Sequence, residues 1–280
     1  MTRKTIPLAG VIGQPIAHSL SPRLHGYWLR QHRVAGHYVP LEVSHRDFEQ
    51  VLRTLPKMGF VGVNVTLPHK EAALKLADSV SDIAAIIGAA NTLTFRKSGR
   101  IHADNTDGEG FMANLRTAVP GWKPDTQTVL VLGAGGASRA VVATLVRART
   151  PRILLANRTR ARAEDLAEEF GRRVQVVDWH AVPEAIGEAD TIVNTTSLGM
   201  VGKPEMKLDL TRLRAGQVVN DLVYNPVETR LLAEARRAGA IAVDGLGMLI
   251  HQAIPGFEAW FNRRPVPDEG LRAHLLEALA

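Results

Sequence analysis

A lysine and an aspartate stand where they could take part in proton transfer. Lys70 follows an apolar strand that ends near Thr66 and Pro68, and it falls in the first turn of a predicted helix. The positive end of a helix dipole opposes a lysine there, so Lys70 is either an exposed, harmless charge or a group held for function. Asp107 opens another predicted helix, where it could be an ordinary N-cap. A helix start also stabilises a carboxylate as an anion, and such an anion could pair with a lysine.

Two serines lie just before a predicted helix whose first turn contains a proline. Ser19 and Ser21 are two residues apart, and Pro22 follows them. One serine would be enough to cap this helix, and capping is the plain structural interpretation. Two hydroxyls beside the free N–H groups of a helix start could also bind a carboxylate. The sequence leaves both interpretations open.

A glycine-rich turn joins the predicted strand 128–132 to the predicted helix that follows. The turn reads Gly133-Ala134-Gly135-Gly136-Ala137. Glycines at such a junction allow a tight turn and let a pyrophosphate approach the helix N-terminus. Ser138 takes the third fingerprint position, where glycine is usual, but a small residue still allows the helix to pack on the strand. Glycines also serve ordinary turns, yet this position between a strand and a helix favours a dinucleotide site.

The end of the next predicted strand indicates which dinucleotide would bind. NAD sites carry an acidic residue about 20 residues after the glycines, where it binds the ribose 2′-hydroxyl. No carboxylate follows Ala156; the residues there are Asn157, Arg158, Thr159 and, further on, Arg162. This stretch could be a solvated helix start with Thr159 as its N-cap. Because arginine pairs well with phosphate, however, the missing acid and the arginines together favour NADP over NAD.

Strand-like and helix-like patterns alternate along the chain and must position these residues. Strands are predicted at 6–12, 37–43, 62–66 and 90–95, and helices at 22–31, 46–55, 69–76 and 108–118. Glycine and proline within 121–125 indicate a linker. From residue 128 onward, repeated strand–helix units predict a doubly wound parallel sheet, and the tail is predicted to form helices at 246–261 and 269–279. The fold class is therefore α/β.

Composition narrows the possible functions. The chain has no cysteine, so no disulfide, no thiolate nucleophile and no cysteine zinc site is possible, and we predict no metal. No apolar stretch approaches the roughly 18 residues of a membrane span. The net charge of +6 would suit nucleic acid, but aromatic residues make up only 5% of the chain and offer few surfaces for base stacking. We expect a cytoplasmic protein that binds a small molecule, without a nucleic-acid or membrane partner.

Seven short motifs follow one another along the chain. They are Gly13-Gln-Pro15-Ile-Ala-His18-Ser19-Leu-Ser21-Pro22, Gly62-Val-Asn64-Val-Thr66-Leu-Pro68-His69-Lys70, Gly88-Ala-Ala-Asn91-Thr92, Asn105-Thr106-Asp107-Gly108, Asn194-Thr-Thr-Ser-Leu-Gly199-Met200, Asp221-Leu-Val-Tyr224-Asn-Pro226 and Gly245-Leu-Gly-Met-Leu-Ile-His-Gln252-Ala253. Together they resemble the shikimate dehydrogenase family over nearly the whole chain. The resemblance implies an NADPH-dependent, reversible reduction of 3-dehydroshikimate to shikimate, a step of aromatic amino-acid biosynthesis.

The resemblance also implies roles for individual residues. Lys70 and Asp107 would be the catalytic pair. Ser19 and Ser21 would hold the substrate carboxylate, with Tyr224 nearby. The residues that would contact the ring oxygens are Thr66, Asn91 and Gln252. The NADP-binding residues would be Gly133, Ala134, Gly135, Gly136, Ala137, Asn157, Arg158, Thr159, Arg162, Leu222 and Gly245, and Asp82 would also lie near the cofactor.

Finally, the resemblance implies that the helical tail returns to complete the N-terminal domain. We expect an α/β substrate domain of residues 1–120 and 247–280 and a Rossmann-type NADP-binding domain of residues 121–246, in a monomer or a homodimer. One alternative is a quinate/shikimate dehydrogenase with broader substrate and cofactor use, against which the missing acid after Ala156 counts. The other is a catalytically silent, NADP-sensing Rossmann module. The presence of both Lys70 and Asp107 counts against that alternative.

Overall fold

Two six-stranded sheets, one in each of two compact units, form the framework of the protein in a computed structural model that describes residues 6–279. The first unit comprises Met1–Thr106 and Gln252–Ala280, and the second comprises Asp107–His251. Residues 1–5 and 280, which the predicted first domain includes, lie outside the described residues. The predicted α/β class with two domains is confirmed.

The first unit contains a mixed sheet. Its strands are β1 (Leu8–Gly13), β2 (His37–Glu42), β3 (Phe60–Val65), β4 (Ser79–Val80), β5 (Thr92–Phe95) and β6 (Ile101–Asp104), and its helices before residue 106 are α1 (Ser21–Gln31), α2 (Phe48–Thr54), α3 (Lys70–Leu76) and α4 (Asp82–Ile87). The strand order is β2-β1-β3-β5-β6-β4. β1 pairs in parallel with β2 and β3, whereas β5 runs antiparallel to β3 and β6. The sequence did not predict β4, α4 or β6, which have only two, six and four residues.

The second unit contains the predicted parallel sheet. Its strands are β7 (Thr128–Leu132), β8 (Arg152–Ala156), β9 (Val174–Val177), β10 (Thr191–Asn194), β11 (Val218–Asp221) and β12 (Ile241–Val243). Helices α5 (Asp107–Ala118), α6 (Gly136–Arg147), α7 (Arg160–Phe170), α8 (Val182–Glu188) and α9 (Arg230–Arg237) accompany them, and α10 (Leu246–Phe261) and α11 (Glu269–Leu276) follow. The order β12-β11-β10-β7-β8-β9, with every pair parallel, is that of a doubly wound dinucleotide-binding fold.

Burial on both faces explains why the strands of the second sheet are almost continuously apolar. In β7, Val129 and Val131 enter one buried cluster, which includes Phe111 of α5. Leu130 and Leu132 enter the cluster on the opposite face. A parallel sheet covered by helices on both sides requires such strands. It also brings the carboxyl ends of all six strands to one edge, where ligands of this fold bind.

The segment 121–125, predicted to be a linker, is packed into the second unit. Trp122 is buried, and its indole N–H donates to Gln127 and Thr191, each at 3.0 Å. The preceding helix α5 packs on α6 so closely that a Cβ at Gly108 would lie 1.9 Å from the Thr144 hydroxyl. Packing therefore places the boundary of the second unit at Asp107. The division at residues 120 and 247 was predicted from function: it separates the residues expected to bind substrate from those expected to bind the cofactor. It stays a prediction.

The C-terminal part of the chain packs on the first sheet, as predicted. The indole N–H of Trp260 in α10 donates to the Leu93 carbonyl at 3.1 Å. Gly62 makes room for it, because a Cβ there would lie 1.9 Å from the Trp260 indole nitrogen. At the start of α11, Asp268 accepts hydrogen bonds from Tyr27 and Gln31 of α1. Within residues 6–279, none of the helices combines the length and apolar character that a membrane crossing requires.

Candidate functional site

The start of α3 holds Lys70 in a fixed backbone position. The preceding residue, His69, is buried; its ring stacks on Phe48 at 4.4 Å and its Nε2 forms a 2.8 Å hydrogen bond with the Val43 carbonyl. The carbonyl of Lys70 accepts a hydrogen bond from Ala90 at 2.9 Å. The lysine side chain is half-buried. His69 thus has the structural role expected of a buried, stacked ring, and its packing fixes the helix start from which Lys70 projects.

Two of the three residues predicted to contact ring oxygens are joined by a hydrogen bond. Asn91 Nδ2 donates to Gln252 Oε1 at 3.1 Å. Asn91 Oδ1 accepts from the Thr92 hydroxyl and from the Thr106 backbone N–H, both at 2.9 Å, and the Thr106 hydroxyl donates to the Gln252 carbonyl at 2.9 Å. The contact between Gln252 and Thr106 ties the returning C-terminal segment to the end of β6. Asp107 follows this anchored threonine directly in the chain.

The third of these residues, Thr66, lies at the carboxyl end of β3. Its N–H donates to the Ile12 carbonyl at 2.9 Å, which carries the strand pairing one residue beyond β3. A Cβ at Gly13 would lie 2.4 Å from the Thr66 methyl group, so only glycine lets the two chain segments approach this closely. The threonine side chain is half-buried. The two motifs that contain Gly13 and Thr66 therefore meet at one edge of the first sheet.

The two serines do not form an ordinary helix cap. Leu20 is the N-cap residue of α1, and no side chain caps the helix there. Ser19 Oγ instead accepts from the Ser21 N–H at 3.3 Å, and Ser21 itself is the first helical residue. Both serines are half-buried. Capping therefore accounts for neither hydroxyl proton, and this arrangement is compatible with a carboxylate-binding role.

Sequence reasoning missed Tyr38 and gave Asn64 no role, yet both belong to the same network. The phenol of Tyr38 donates to Asn64 Oδ1 at 2.7 Å. Asn64 Nδ2 donates to the Asn91 carbonyl and to the Thr92 hydroxyl, each at 3.1 Å. Burial raises the pKa of Tyr38 well above its usual value, and a hydrogen bond with Ser21 opposes that shift. The polar Asn64 within an apolar strand was a usable signal, whereas nothing local in the sequence marked Tyr38.

The glycine-rich turn of the second unit has the backbone that its sequence predicts. Gly133 has a φ of +110°, a conformation that other residues rarely adopt, and a Cβ there would lie 2.6 Å from the Thr195 hydroxyl. Ser138 is buried, and its hydroxyl donates to the Gly133 carbonyl at 2.6 Å. The serine at the third fingerprint position thus fits under the turn and ties it to α6, as a small residue should.

The start of α6 fits an anionic group such as a pyrophosphate. Gly135 is the N-cap residue and provides no side-chain cap, so the first N–H groups of this helix are left for another acceptor. A Cβ at Gly135 or Gly136 would meet no atom within 4 Å, which shows open space over the turn. Ala134 and Ala137 beside them are half-buried. The open space therefore lies over Gly135 and Gly136, whereas the Gly133 N–H donates to the Ala156 carbonyl at 2.8 Å.

The arginines after β8 differ in what holds them. Arg160 contacts Glu164 at 2.7 Å and Asp178 at 2.5 Å, and hydrogen bonding to Asp178 is the first cause that raises its pKa. Arg158 and Arg162 are exposed and take part in none of the ion pairs found among residues 6–279. Asn157 turns its amide to the Thr159 carbonyl at 2.8 Å. Of the arginines in this segment, Arg158 and Arg162 are therefore the two that remain available to bind a phosphate.

Leu222 and Gly245 meet at the carboxyl edge of the second sheet. The Leu222 N–H donates to the Asn194 carbonyl at 2.9 Å. A Cβ at Gly245 would lie 2.3 Å from the Leu222 carbonyl oxygen, so glycine is required for this approach. Tyr224 lies two residues beyond Leu222 and is half-buried, and burial raises the pKa of its phenol. The second unit thus places Leu222 and Gly245 in contact on the edge that also carries the glycine-rich turn.

Three family models match successive parts of the chain. Residues 11–93 match the family model described as "Shikimate dehydrogenase substrate binding domain", residues 117–223 match "Shikimate / quinate 5-dehydrogenase", and residues 245–276 match "Shikimate 5'-dehydrogenase C-terminal domain". A protein of Jannaschia sp. (strain CCS1) named "Shikimate dehydrogenase (NADP(+))" is 61% identical over 99% of both chains. The chain belongs to the shikimate dehydrogenase family. The family predicted from the motifs is therefore confirmed.

Solved structures of the family share the whole fold. The shikimate 5-dehydrogenase of Thermus thermophilus, in complex with NADP(H) and shikimate, has a TM-score of 0.87 and 37% identity over 98% of this chain and all of that one. A quinate dehydrogenase of Corynebacterium glutamicum, in complex with NAD, has a TM-score of 0.89 and 33% identity over 97% of this chain and 99% of that one. Similarity of fold alone therefore does not separate shikimate from quinate dehydrogenases, or NADP from NAD. The site residues must make these distinctions.

The residues expected from the family pattern are divided between the two units. The first unit holds Ser19, Ser21, Thr66, Lys70, Asp82, Asn91 and Gln252, and the second holds Asp107, Tyr224 and the remaining cofactor residues. Asp82 is exposed at the first position of α4, after the N-cap Ser81. Tyr224 lies in the unit that does not contain the two serines.

A buried carboxylate supports the cofactor edge and was named in the sequence only as part of a motif. Asp221, at the end of β11, accepts from Asn194 Nδ2 at 2.8 Å, from the Val223 N–H at 3.0 Å and from the Thr229 hydroxyl at 2.7 Å. Burial raises the pKa of this carboxyl, and the three hydrogen bonds oppose the shift. Every partner donates, so the site suits an ionised carboxylate that holds the loops after β10 and β11 together.

Proposed function

We propose that this family member catalyses the reversible, NADPH-dependent reduction of 3-dehydroshikimate to shikimate, within the aromatic amino-acid pathway of the cytoplasm, as a monomer or homodimer. The observation that carries the proposal is the network in which Asn91, Gln252 and Thr106 converge directly before Asp107. It gives a ring that carries several hydroxyls a set of fixed donors and acceptors. A catalytically silent NADP sensor would need neither this network nor Lys70.

The first unit would bind and protonate the substrate. Ser19 and Ser21 donate to the carboxylate, with Tyr224 from the second unit as a further contact. Thr66, Asn91 and Gln252 bind the ring oxygens and thereby orient the reacting carbon. Lys70, as an ammonium, polarises the ketone and donates its proton to the oxygen as negative charge develops there. Asp107 is the second residue of the proposed catalytic pair.

The second unit would hold NADP, which supplies the hydride to the carbonyl carbon when it is bound. The turn from Gly133 to Ala137 provides backbone N–H groups to the pyrophosphate. Arg158 and Arg162 pair with the 2′-phosphate, and Asn157 and Thr159 add hydrogen bonds. Leu222 and Gly245 form one side of the cofactor site. Asp82 is a further contact expected from the family pattern.

The deciding experiment is an assay of NADP reduction by shikimate, in which the absorbance of the reduced nicotinamide is recorded. Parallel assays replace NADP by NAD and shikimate by quinate. We expect a high kcat/KM for shikimate with NADP and much lower values for the other three combinations. The match to a quinate dehydrogenase with NAD makes the broader enzyme the second candidate. Comparable kcat/KM values for quinate and shikimate would favour that candidate, and no turnover with any pair would refute both.

Replacing Arg158 by alanine should weaken NADP binding by about 10- to 100-fold, because a charge-assisted hydrogen bond is worth about 1.5–3 kcal/mol. NAD, which has no 2′-phosphate, should bind nearly as before. Dissociation constants of both cofactors, measured by nucleotide fluorescence, test this. Arg160→Ala is the matched control, since Glu164 and Asp178 already hold that arginine. Equal losses for NADP and NAD would show that Arg158 does not bind the 2′-phosphate.

Replacing Ser21 by alanine should raise the KM for shikimate and leave the KM for NADP nearly unchanged. The loss of one hydrogen bond to a charged group predicts an increase of about ten- to a hundredfold. The methyl ester of shikimate, which lacks the negative charge, should be a poor substrate of the native enzyme. The variant should discriminate less between acid and ester. If the variant still distinguishes them as sharply as the native enzyme, the hydroxyl has no role in carboxylate binding.

A further inference from the structure

The phenol of Tyr38 lies inside the first unit, where it begins the hydrogen-bond network that includes Asn91 and Gln252. Tyr38 pairs with Ala9 in the register of β2 and β1, and Asn64 pairs with Val11 in the register of β3 and β1. Ala9 and Val11 are two residues apart and therefore point to the same face of the sheet. The small side chain of Ala9 lets the phenol reach across β1 to Asn64, at 2.7 Å.

Counting donors and acceptors shows which way each hydrogen bond runs. Asn64 has acceptors on one side, the Asn91 carbonyl and the Thr92 hydroxyl, so its NH₂ group must face them. Its Oδ1 then faces Tyr38 and can only accept, so the phenol proton is committed to Asn64. The phenol oxygen is left as an acceptor. The phenol therefore holds the Asn64 amide in one orientation.

A buried imidazole fixes the phenol from the opposite side. The ring of His25 stacks on that of Tyr38 at 3.9 Å with an interplanar angle of 2°. Neither ring nitrogen of His25 has a hydrogen-bond partner among the described residues. The imidazole therefore contributes a flat contact surface and no competing hydrogen bond. The direction of the Tyr38 hydroxyl is consequently set by Asn64.

We propose that Tyr38 is a positioning residue for substrate binding: its phenol holds Asn64 and, through Asn64 and Thr92, the side chain of Asn91, which is expected to bind a ring hydroxyl. The inference rests on the proposed function and adds a residue to it. Asn64 donates to the Thr92 hydroxyl, which in turn donates to Asn91 Oδ1. One continuous chain of side-chain hydrogen bonds thus runs from Tyr38 to Gln252.

The first test is the variant Tyr38→Phe, which removes the hydroxyl and keeps the ring. We expect the KM for shikimate to rise about five- to tenfold, the usual effect of losing one hydrogen bond. We expect kcat to change less than about twofold and the KM for NADP to stay constant, because Tyr38 does not touch the reacting atoms. Tyr27→Phe is the matched control, since Tyr27 loses only a surface hydrogen bond to Asp268 and should leave all three constants unchanged.

A second variant tests another hydrogen bond of the same network. It keeps the inference testable if Tyr38→Phe does not fold. Thr92→Val is nearly isosteric and removes the hydrogen bonds that lead from Asn64 to the Asn91 side chain, so it should produce the same rise in the KM for shikimate. The double variant Tyr38→Phe with Thr92→Val should raise that KM by less than the product of the two single effects, because both changes remove links of one chain. Tyr27→Phe combined with Thr92→Val should give the full product.

An unchanged KM for shikimate in folded Tyr38→Phe or Thr92→Val would overturn the inference, and so would independent effects of these two substitutions. Equal rises in the KM values for shikimate and NADP would also overturn it, because they would indicate general loosening of the fold. The proposed function fails separately, since it predicts shikimate turnover by the unmodified enzyme. An active native enzyme with an unaffected Tyr38→Phe variant would refute only the positioning role.

Discussion

Lys70→Ala is expected to lower kcat by about 10²–10⁴-fold, the range found when a positioned acid–base group is lost. The lysine is the first residue of α3, and its helix start is fixed by the packing of His69 on Phe48. A side chain held in this way can present its ammonium to the ketone without a large ordering cost. Shikimate binding should weaken much less than kcat, because the contacts to the carboxylate and the ring hydroxyls remain.

The matched control for this variant is Lys75→Ala. Lys75 is an exposed lysine in the last turn of the same helix, so its removal changes the net charge equally and should leave kcat unchanged. Steady-state rates in both directions, with circular dichroism and NADP binding as checks of folding, provide the measurement. A kcat near the native value in a folded, NADP-binding Lys70→Ala enzyme would rule out this lysine as the catalytic acid.

Asp107→Ala extends the same experiment to the second residue of the expected pair. If the aspartate acts only through Lys70, its removal should lower kcat, and the double variant should lose less than the two single losses combined. Asp107 opens α5, where a carboxylate also stabilises the helix start, so thermal unfolding of each variant separates that structural effect from catalysis. Fully independent effects on kcat would show that the two residues do not work as a unit.

The parallel sheet could be predicted in detail because its signal is local. The inner strands β7, β8, β10 and β11 are short, largely apolar runs buried on both faces, and every strand except β10 is followed by a helix. The glycine-rich turn could likewise be predicted. Glycine allows the positive φ of residue 133, and the space above Gly135 is open. In such elements the residues that form the structure are adjacent in sequence, and local pattern is enough.

The rest depends on contacts between distant residues. Tyr38 reaches Asn64 across an intervening strand, and no pattern around Tyr38 indicates this. The segment near Trp122 has the glycine and proline of a linker, but a buried indole that bonds to Thr191 holds it in the core. Roles for Asn91 and Gln252 came only from the resemblance, and for Ser19 residue type and spacing left both helix capping and carboxylate binding open.

His25 should make the protein progressively less stable in mild acid. Its side chain is fully buried, and burial lowers the pKa of the imidazole from 6.5 to about 3. Because the folded state has the lower pKa, protons bind preferentially to the unfolded chain once the pH falls below 6.5. Above that pH the histidine has no effect on the pH dependence. Below it, the free energy of unfolding should fall by about 1.4 kcal/mol per pH unit until the folded pKa is reached.

The informative window is therefore pH 6.5 to 5, above the range in which carboxylates titrate, where His25 should remove about 2 kcal/mol of stability. The free energy of unfolding, measured in urea at several pH values, gives the slope. His251, whose pKa is also lowered by burial, adds a smaller effect in the same direction, so the comparison must be made with a variant. His25→Phe keeps a flat ring against Tyr38 and cannot bind a proton; its slope should be shallower by nearly the full 1.4 kcal/mol per pH unit. His180→Phe, at an exposed histidine, should retain the native slope. If native protein and His25→Phe lose stability in parallel over this window, the buried imidazole is not what makes the fold acid-sensitive.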